Sequence, residues 1–230
     1  MVRTVLLGLV AAGCSTTGSM VPASGPQETQ TRAISAASAV DLAASGELLL
    51  TVGGSPALRI TAGRKVIDHL TSDVQGDRLT LGSDGSVRTF GRVRYDLVLP
   101  DPRVVELTGS GTVQVTPTSG LQQVLLPGSG NVRVDGLSTE ELTVDLSGSG
   151  QVTVGGSTVR QRISISGSGR YSAGGLASQD AEVTISGSGS ADISVSRTLT
   201  TTVSGSGSVT YTGDAAVTSS VTGQGAVVRR

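Results

Sequence analysis

The sequence predicts an all-β protein built as a parallel β-solenoid, in which short strands stack coil upon coil. Glycine supplies 33 of the 230 residues, whereas aromatic residues make up only 2%. A tripeptide, Gly-Ser-Gly, recurs at a nearly constant interval along the second half of the chain. On both sides of each copy, apolar and polar residues alternate with period two, which is the pattern of strands that bury one face.

Composition and charge exclude several classes of protein. Lys and Arg number 17 and Asp and Glu number 18, so the formal net charge is −1. Such a chain has no basic field to hold phosphates, and we expect no nucleic-acid partner. Glycine does not recur at every third position, which excludes a collagen helix. A hydrophobic content of 37% argues against simple disorder.

The N-terminus has the outline of a bacterial export signal. Arg3 precedes a short apolar run over residues 4–12, which is too short to span a bilayer as a helix. Cys14, the only cysteine, follows Ala-Ala-Gly, and this tetrapeptide resembles the lipobox of bacterial lipoproteins, whose cysteine is acylated after cleavage. Residues 1–13 are therefore predicted to be a lipoprotein signal peptide and Cys14 the lipidation site. The alternative is a plain export signal cleaved elsewhere, which would leave a free thiol.

The segment that follows is predicted to be a flexible tether over residues 14–33. It is rich in Ser, Thr, Gly and Pro and has no hydrophobic periodicity. The residue directly after the cysteine is Ser15 and not Asp. In this respect the chain resembles Gram-negative lipoproteins that are sorted to the outer membrane. The expected location is thus the cell envelope, at the outer membrane, with the membrane as a partner through the lipid anchor.

The repeat occupies residues 101–230. Six copies of Gly-Ser-Gly and a final Gly-Gln-Gly follow one another at intervals of 18 to 20 residues. A unit of about 19 residues holds two or three short strands and cannot bury its own apolar face, so units must stack about 4.8 Å apart. An antiparallel meander would explain the strands equally well but not the fixed spacing. The motif glycines are Gly109, Gly111, Gly128, Gly130, Gly148, Gly150, Gly167, Gly169, Gly187, Gly189, Gly205, Gly207, Gly223 and Gly225.

These glycines are predicted to be the structural corners of the coils. Stacking places equivalent residues above one another, so a corner column must be narrow or adopt positive φ, and glycine permits both. The serine column between them has two interpretations. Its hydroxyls either bond to one another and to the corner backbone, or form an exposed polar stripe for binding. The first is preferred because the glycine requirement explains the column unaided.

Residues 34–100 are less regular and hold much of the charge. A solenoid end exposes an apolar cross-section and unpaired strand edges, so this segment is predicted to form a strand-rich N-terminal cap or the first irregular coils. A short helix is expected over residues 66–74. At the other end, the charges of Arg229 and Arg230 are expected to discourage end-to-end stacking. The strand-like runs are 48–52, 58–61, 78–81 and 95–100.

Candidate catalytic and metal-binding residues are few. His69 is the only histidine, so a zinc site would lack ligands and a Ser-His-Asp triad would depend on this one residue. Tyr171 and Tyr211 fall in apolar columns assigned to the core, which leaves little support for sugar stacking. We expect no catalytic residue, no cofactor and no metal. The column three residues after each motif has neither clustered acids nor a regular Thr ladder for ice binding: Gln114, Arg133, Thr153, Ser172, Asp192, Thr210 and Val228.

The layout as a whole resembles the bacterial family of putative auto-transporter adhesins with a head GIN domain. The resemblance spans residues 34–228 and includes a strand-rich lead ending in the Leu99-Pro100 step, followed by the Gly-Ser-Gly coils from Gly109 onward. It implies a right-handed parallel β-helix with coils of about 19 residues. It implies little about activity, because the adhesin label itself is an inference from the fold.

The function expected is that of an exported, lipid-anchored envelope protein that binds or scaffolds, as an adhesin would, with a glycan or an envelope protein as its partner. One alternative is a carbohydrate-active enzyme on the same fold, and another is a passive structural lipoprotein of the envelope. A groove with converging carboxylates would favour the enzyme, whereas a flat, variable polar face would favour binding.

Overall fold

The computed structural model describes residues 25–85, 91–116 and 119–230. In these ranges the chain forms seventeen strands and one short 3-10 turn, Ile67–His69. Cys14 and the predicted signal peptide lie outside the described residues. The strands are β1 (Gln27–Arg32), β2 (Ala39–Leu42), β3 (Glu47–Val52), β4 (Ala57–Gly63), β5 (Leu70–Gln75), β6 (Arg78–Ser83), β7 (Arg94–Leu99), β8 (Val104–Glu106), β9 (Thr112–Thr116), β10 (Gln123–Leu126), β11 (Asn131–Leu146), β12 (Gln151–Ile165), β13 (Arg170–Gly187), β14 (Ser190–Gly205), β15 (Ser208–Thr212), β16 (Ala216–Gly223) and β17 (Ala226–Arg229).

The predicted parallel β-solenoid is confirmed, and the antiparallel meander is not formed by the repeats. The strands before each motif stack in parallel as one sheet, which we call sheet 1, from β8 through β10 to β16. The strands after each motif form sheet 2, from β9 to β17. The register joins equivalent repeat positions, as in the column Val124, Val144, Ile163 and Val183. Each long strand, β11 to β14, bends and contributes to both sheets.

The first coils do not follow chain order. β2 pairs with β6 on one side and β8 on the other, and β3 likewise pairs with β7 and β9. The coil of β6 and β7 therefore lies beneath the coil of β2 and β3, although it comes later in the chain. Antiparallel strands then close this end, with β5 on β6, β4 on β7 and β1 on β4. Residues 34–100 thus supply both irregular coils and a cap.

Two stretches differ from the sequence-based expectation. The helix expected over residues 66–74 is wrong, because only Ile67–His69 forms a single 3-10 turn and Leu70–Gln75 is strand β5. The backbone N–H and C=O groups of this segment form hydrogen bonds with the edge of β6. Helical propensity, which depends on the segment alone, does not predict this pairing. Strand Gln27–Arg32 lies within the segment assigned to the tether, so the folded body begins earlier than expected.

The interior is filled by Val, Leu and Ile columns that are almost completely buried. One polar cluster interrupts it, where Gln161 occupies a position stacked between Leu142 and Ala181. The Tyr171 hydroxyl donates to Oε1 of Gln161 at 3.1 Å, and Nε2 of Gln161 donates to the Ser178 hydroxyl at 2.7 Å. Burial raises the pKa of Tyr171, so the phenol remains a hydrogen-bond donor. Buried Tyr171 cannot stack on a sugar.

The motif glycines stack as corners that have no room for a side chain. A Cβ atom on Gly148 would overlap the carbonyl oxygen of Gly128 and lie 2.7 Å from that of Pro127. Gly205 and Gly223 also have positive φ values of 120° and 114°. The amide that follows each motif donates to the glycine carbonyl of the coil below, as from Gln151 to Gly130 at 3.1 Å. Close backbone approach at the corner therefore sets the vertical spacing of the coils.

We predict that Gly148→Ala destabilises the protein by about 2–3 kcal/mol, because its methyl group must push two stacked backbones apart. Gly155→Ala is the matched control, since a Cβ there would meet only the carbonyl oxygen of Gly175 at 3.7 Å. The control should change stability by less than about 1 kcal/mol. Urea unfolding followed by far-UV circular dichroism measures both, as the chain has no Trp. Equal midpoints for the two variants would contradict the corner model.

Candidate functional site

An open groove of about 1070 Å³ lies on the outer surface of the solenoid, where the chain bends into sheet 1. Its lining is mostly hydroxyl and amide groups from four successive coils, with two glutamates and one valine. Side chains of this kind donate and accept hydrogen bonds without demanding a charged partner. The lining residues include Gln123, Ser138, Glu140, Glu141, Thr143 and Val159.

The bend that forms the groove is fixed by hydroxyl groups. β11 pairs with β12 at Thr139 and again at Glu141, so Glu140 and its neighbour Val159 are left unpaired at the corner. The buried Thr158 hydroxyl lies 3.0 Å from the carbonyl oxygen of Arg160 and 3.3 Å from that of Glu140. It thereby ties two coils together across the bend. The unpaired corner residues project outward, and Val159 is 40% exposed.

A ladder of alternating charges adjoins the groove on the outer face of sheet 1. It lines a second hollow of about 330 Å³. Arg162 lies between two acidic residues, in an ion pair with Glu141 and with its Nε 3.4 Å from Oε2 of Glu182. Nε of Arg197 lies 2.9 Å from Oδ1 of Asp180. The parallel register creates this ladder, because it places Arg162 directly beside Glu182.

Asp180 is the most tightly held carboxylate of the ladder. Its side chain is only 13% exposed and accepts hydrogen bonds from Arg197 and from the Thr198 hydroxyl. These donors lower the pKa of Asp180 to about 2. A general acid requires a carboxyl pKa raised toward neutrality, so Asp180 is suited to accept hydrogen bonds and not to donate protons.

The structure places the other sequence-predicted residues outside this groove. His69 Nδ1 lies 3.0 Å from Oδ2 of Asp84 in an exposed pair on the cap. No group of three or more potential metal ligands occurs within residues 25–85, 91–116 and 119–230. Tyr211 is half-buried beside the core. Asp192, from the column after the motif, lies 3.6 Å from Arg230.

The serine column at the corners lies on the surface. All six serines are exposed, and no side-chain hydrogen bond of theirs occurs in the described part of the chain. Hydroxyl bonding along the column therefore does not explain these serines, whereas the contacts of the flanking glycines do explain the narrow corner. The members of the column are Ser110, Ser129, Ser149, Ser168, Ser188 and Ser206.

The charge ladder lies outside the outward column after the motif, so that column gives no sign of it. The charges occupy outward positions seven and five residues before the first motif glycine. Down the first of these columns the residues are Glu141, Arg160, Asp180 and Thr198, and down the second they are Thr143, Arg162, Glu182 and Thr200. The alternation of charge sign at equivalent repeat positions is the sequence pattern that predicts the charge ladder.

We predict that Asp180→Asn lowers the melting temperature by a few degrees at pH 7. The pKa of this carboxyl falls from 3.8 to about 2 in the folded state, so its ionised form stabilises the fold above about pH 4. The difference between variant and wild type should disappear as the pH falls toward 2. Asp214→Asn, which removes a 90% exposed carboxylate, is the control and should have little effect. A difference that persists unchanged at pH 2 would refute this assignment.

Within the described residues, no helix is long and apolar enough to cross a membrane. A comparison with curated protein sequences finds no match. Solved structures do match: a putative adhesin from Bacteroides fragilis superposes with a TM-score of 0.84 at 22% identity, covering 89% of this chain and 97% of the other. A putative lipid binding protein from Parabacteroides distasonis has a TM-score of 0.73 at 20% identity, covering 92% and 99% of the two chains.

A third solved structure, a putative adhesin from Parabacteroides merdae, has a TM-score of 0.65 at 23% identity over 90% of this chain and 97% of its own. These likenesses show a shared fold. The family model described as "Putative auto-transporter adhesin, head GIN domain" matches residues 37–215, which include both the irregular first coils and most of the repeats. The chain therefore belongs to the family of putative auto-transporter adhesins with a head GIN domain.

Proposed function

We propose that this chain is an exported, lipid-anchored protein of the cell envelope that binds a glycan through the groove beside sheet 1. The observation that carries the proposal is the groove itself, an open hollow of about 1070 Å³ lined by hydroxyls, amides and carboxylates on a rigid stack of strands. Its geometry suits an extended polar ligand that lies along several coils. The adhesin family to which the chain belongs points in the same direction.

The chemistry of the lining supports a sugar as ligand. Gln123 and Thr143 stand side by side in the parallel register and both line the groove. An amide and a hydroxyl on directly neighbouring strands supply donors and acceptors for vicinal sugar hydroxyls. Val159, 40% exposed at the corner, offers an apolar contact to the C–H face of a sugar ring. Because the bend is tied by buried Thr158, these groups are held in place before a ligand arrives.

The paired carboxylates of the charge ladder support binding over hydrolysis. Glycosidases use two carboxyl groups, one with a raised pKa as acid and one free as base or nucleophile. Here Glu141 and Glu182 are both paired with Arg162, and the pKa of Asp180 is lowered. Charged groups held in this way serve as hydrogen-bond acceptors and donors for a polar ligand.

Export and lipid anchoring rest on the sequence around Cys14. The cysteine follows a short apolar segment in a lipobox-like tetrapeptide, and the first described strand begins only at Gln27. Acyl chains contribute about 0.8 kcal/mol per buried methylene group, so several chains on one cysteine would hold the protein durably on a membrane. A protein anchored in this way would display the groove at the membrane surface, where ligands can reach it.

We predict that a glycan array and a cell-adhesion assay detect binding, and that Gln123→Ala/Thr143→Ala reduces affinity at least about tenfold, because it removes two polar contacts from the groove. Ser149→Ala, at an exposed corner outside the groove, is the matched control and should bind like the wild type. If neither the glycan array nor the cell-adhesion assay detects binding by the wild-type protein, the proposal of glycan binding is overturned. Loss of binding in Ser149→Ala alone would assign the ligand to the serine column instead.

We predict that the wild-type protein fractionates with membranes and that Cys14→Ala releases it to the soluble fraction, because the variant lacks the thiol that is acylated. Thr16→Ala, two residues further along the chain, is the control and should remain with the membrane. If Cys14→Ala stays in the membrane fraction as before, lipidation at this cysteine is refuted.

A further inference from the structure

The two ends of the solenoid are finished differently. At the N-terminal end, antiparallel β5 and β4 cover the coil of β6 and β7, and β1 pairs with β4. The Arg32 guanidinium of β1 donates to the carbonyl oxygens of Leu70 and, at 2.9 Å, of Ile67. At the other end, β16 pairs with β14 on one side only. Its second edge pairs with no strand of the described residues. A free strand edge presents backbone donors and acceptors to any extended partner.

The inward side chains of β16 are also uncovered. Val217 and Val221 are 38% and 42% exposed, whereas Leu199 and Val203, which they stack upon, are each 1% exposed. Between the two valines lies Ser219. The core column therefore ends in an apolar surface open to solvent, where every other coil has a neighbour.

A hydroxyl group just below this surface lacks a partner. Thr201 lies in register with Ser219, and its Oγ1 is buried without a hydrogen bond. Buried polar groups are normally satisfied, and Ser219 of β16 is the residue in register between this hydroxyl and the free edge.

No charge protects the edge. β16 consists of Ala, Val, Thr, Ser and Gly and has neither a charged residue nor a proline, the features that natural edge strands use against pairing. Arg229 and Arg230 of the last coil are exposed and form ion pairs with Asp214 and Asp192 of the same chain. Neither arginine belongs to β16 itself.

We infer that the free edge of β16 binds the same strand of a second copy in antiparallel orientation. The inward sequence of β16 is symmetric about Ser219, with a valine two residues away on each side. A two-fold axis at Ser219 therefore places Val217 against Val221 of the second copy and the two Ser219 hydroxyls opposite each other. A strand edge is self-complementary in this arrangement, because each donor meets an acceptor of the other copy.

The contact is small, and this sets the expected strength. β16 contributes eight residues and β17 four, which is about half of the number on each side of a standard protein interface. A net charge of −1 per copy adds little repulsion. The dimer is therefore reversible and depends on protein concentration.

The two-fold axis is tested by disulfide trapping in a full-length Cys14→Ala background, which has no other thiol. Ser219→Cys should form a covalent dimer under mild oxidation at least about tenfold faster than Thr202→Cys, because directly opposed residues on antiparallel strands have Cβ atoms about 4.5–5.5 Å apart. Thr202→Cys is the matched control, since it is exposed on sheet 1 one coil away from the edge. Equal rates for the two variants would overturn the proposal.

Sedimentation of the Cys14→Ala protein supplies the second test. A monomer–dimer equilibrium is expected, and Val217→Lys should shift it to monomer, whereas Thr200→Lys on the neighbouring strand adds the same charge and should leave it unchanged. Circular dichroism checks that both variants are folded. A protein that stays monomeric at every concentration overturns the inference. A second result would also overturn the inference. If the introduced thiol of monomeric Ser219→Cys resists alkylation, a segment of the same chain covers the edge.

Discussion

The whole structure depends on one close approach, that of glycine backbones at the corners of successive coils. The amide after each motif donates to a glycine carbonyl one coil below, at 3.0 Å from Asn131 to Gly111 and 3.0 Å from Arg170 to Gly150. This contact fixes the register of the strands on both sides of the corner. Equivalent residues must then stack, so one apolar position in the repeat becomes a continuous core column. A side chain at the corner would separate the coils and every column with them.

The same register builds the outer surface. Positions that alternate with the core columns point outward and stack as regularly, so a change of residue from one repeat to the next becomes a pattern in space. The alternation of Glu141, Arg160 and Asp180 at one outward position is such a pattern, and it adjoins the groove formed at the bend of the long strands. A rigid scaffold with variable outward residues suits binding, because substitutions on the outer face leave the packing of the core unchanged.

A stack of coils also has two ends, and the chain treats them unequally. The cap of β1, β4 and β5 covers the first coil with antiparallel strands, which can pair with a parallel edge and then stop the stacking. The last coil has no equivalent cap among the described residues, and its valines remain exposed. An end of this kind is suited to binding a partner, and a second copy satisfies both its backbone and its side chains.

The sequence by itself determined the repeated body. Because each coil repeats the one before it, local alternation and a fixed interval between glycines were sufficient to predict parallel strands, buried columns and narrow corners. Only the tertiary structure decided the order of the first coils, the conversion of residues 70–75 from expected helix to strand, and the inclusion of β1 in the fold. It also decided which outward columns meet at a groove. The order of the first coils and the inclusion of β1 depend on pairing between segments far apart in the chain, whereas residues 70–75 pair with the adjacent β6 across a two-residue turn. None of these pairings recurs along the chain, so they leave no period in the sequence to detect.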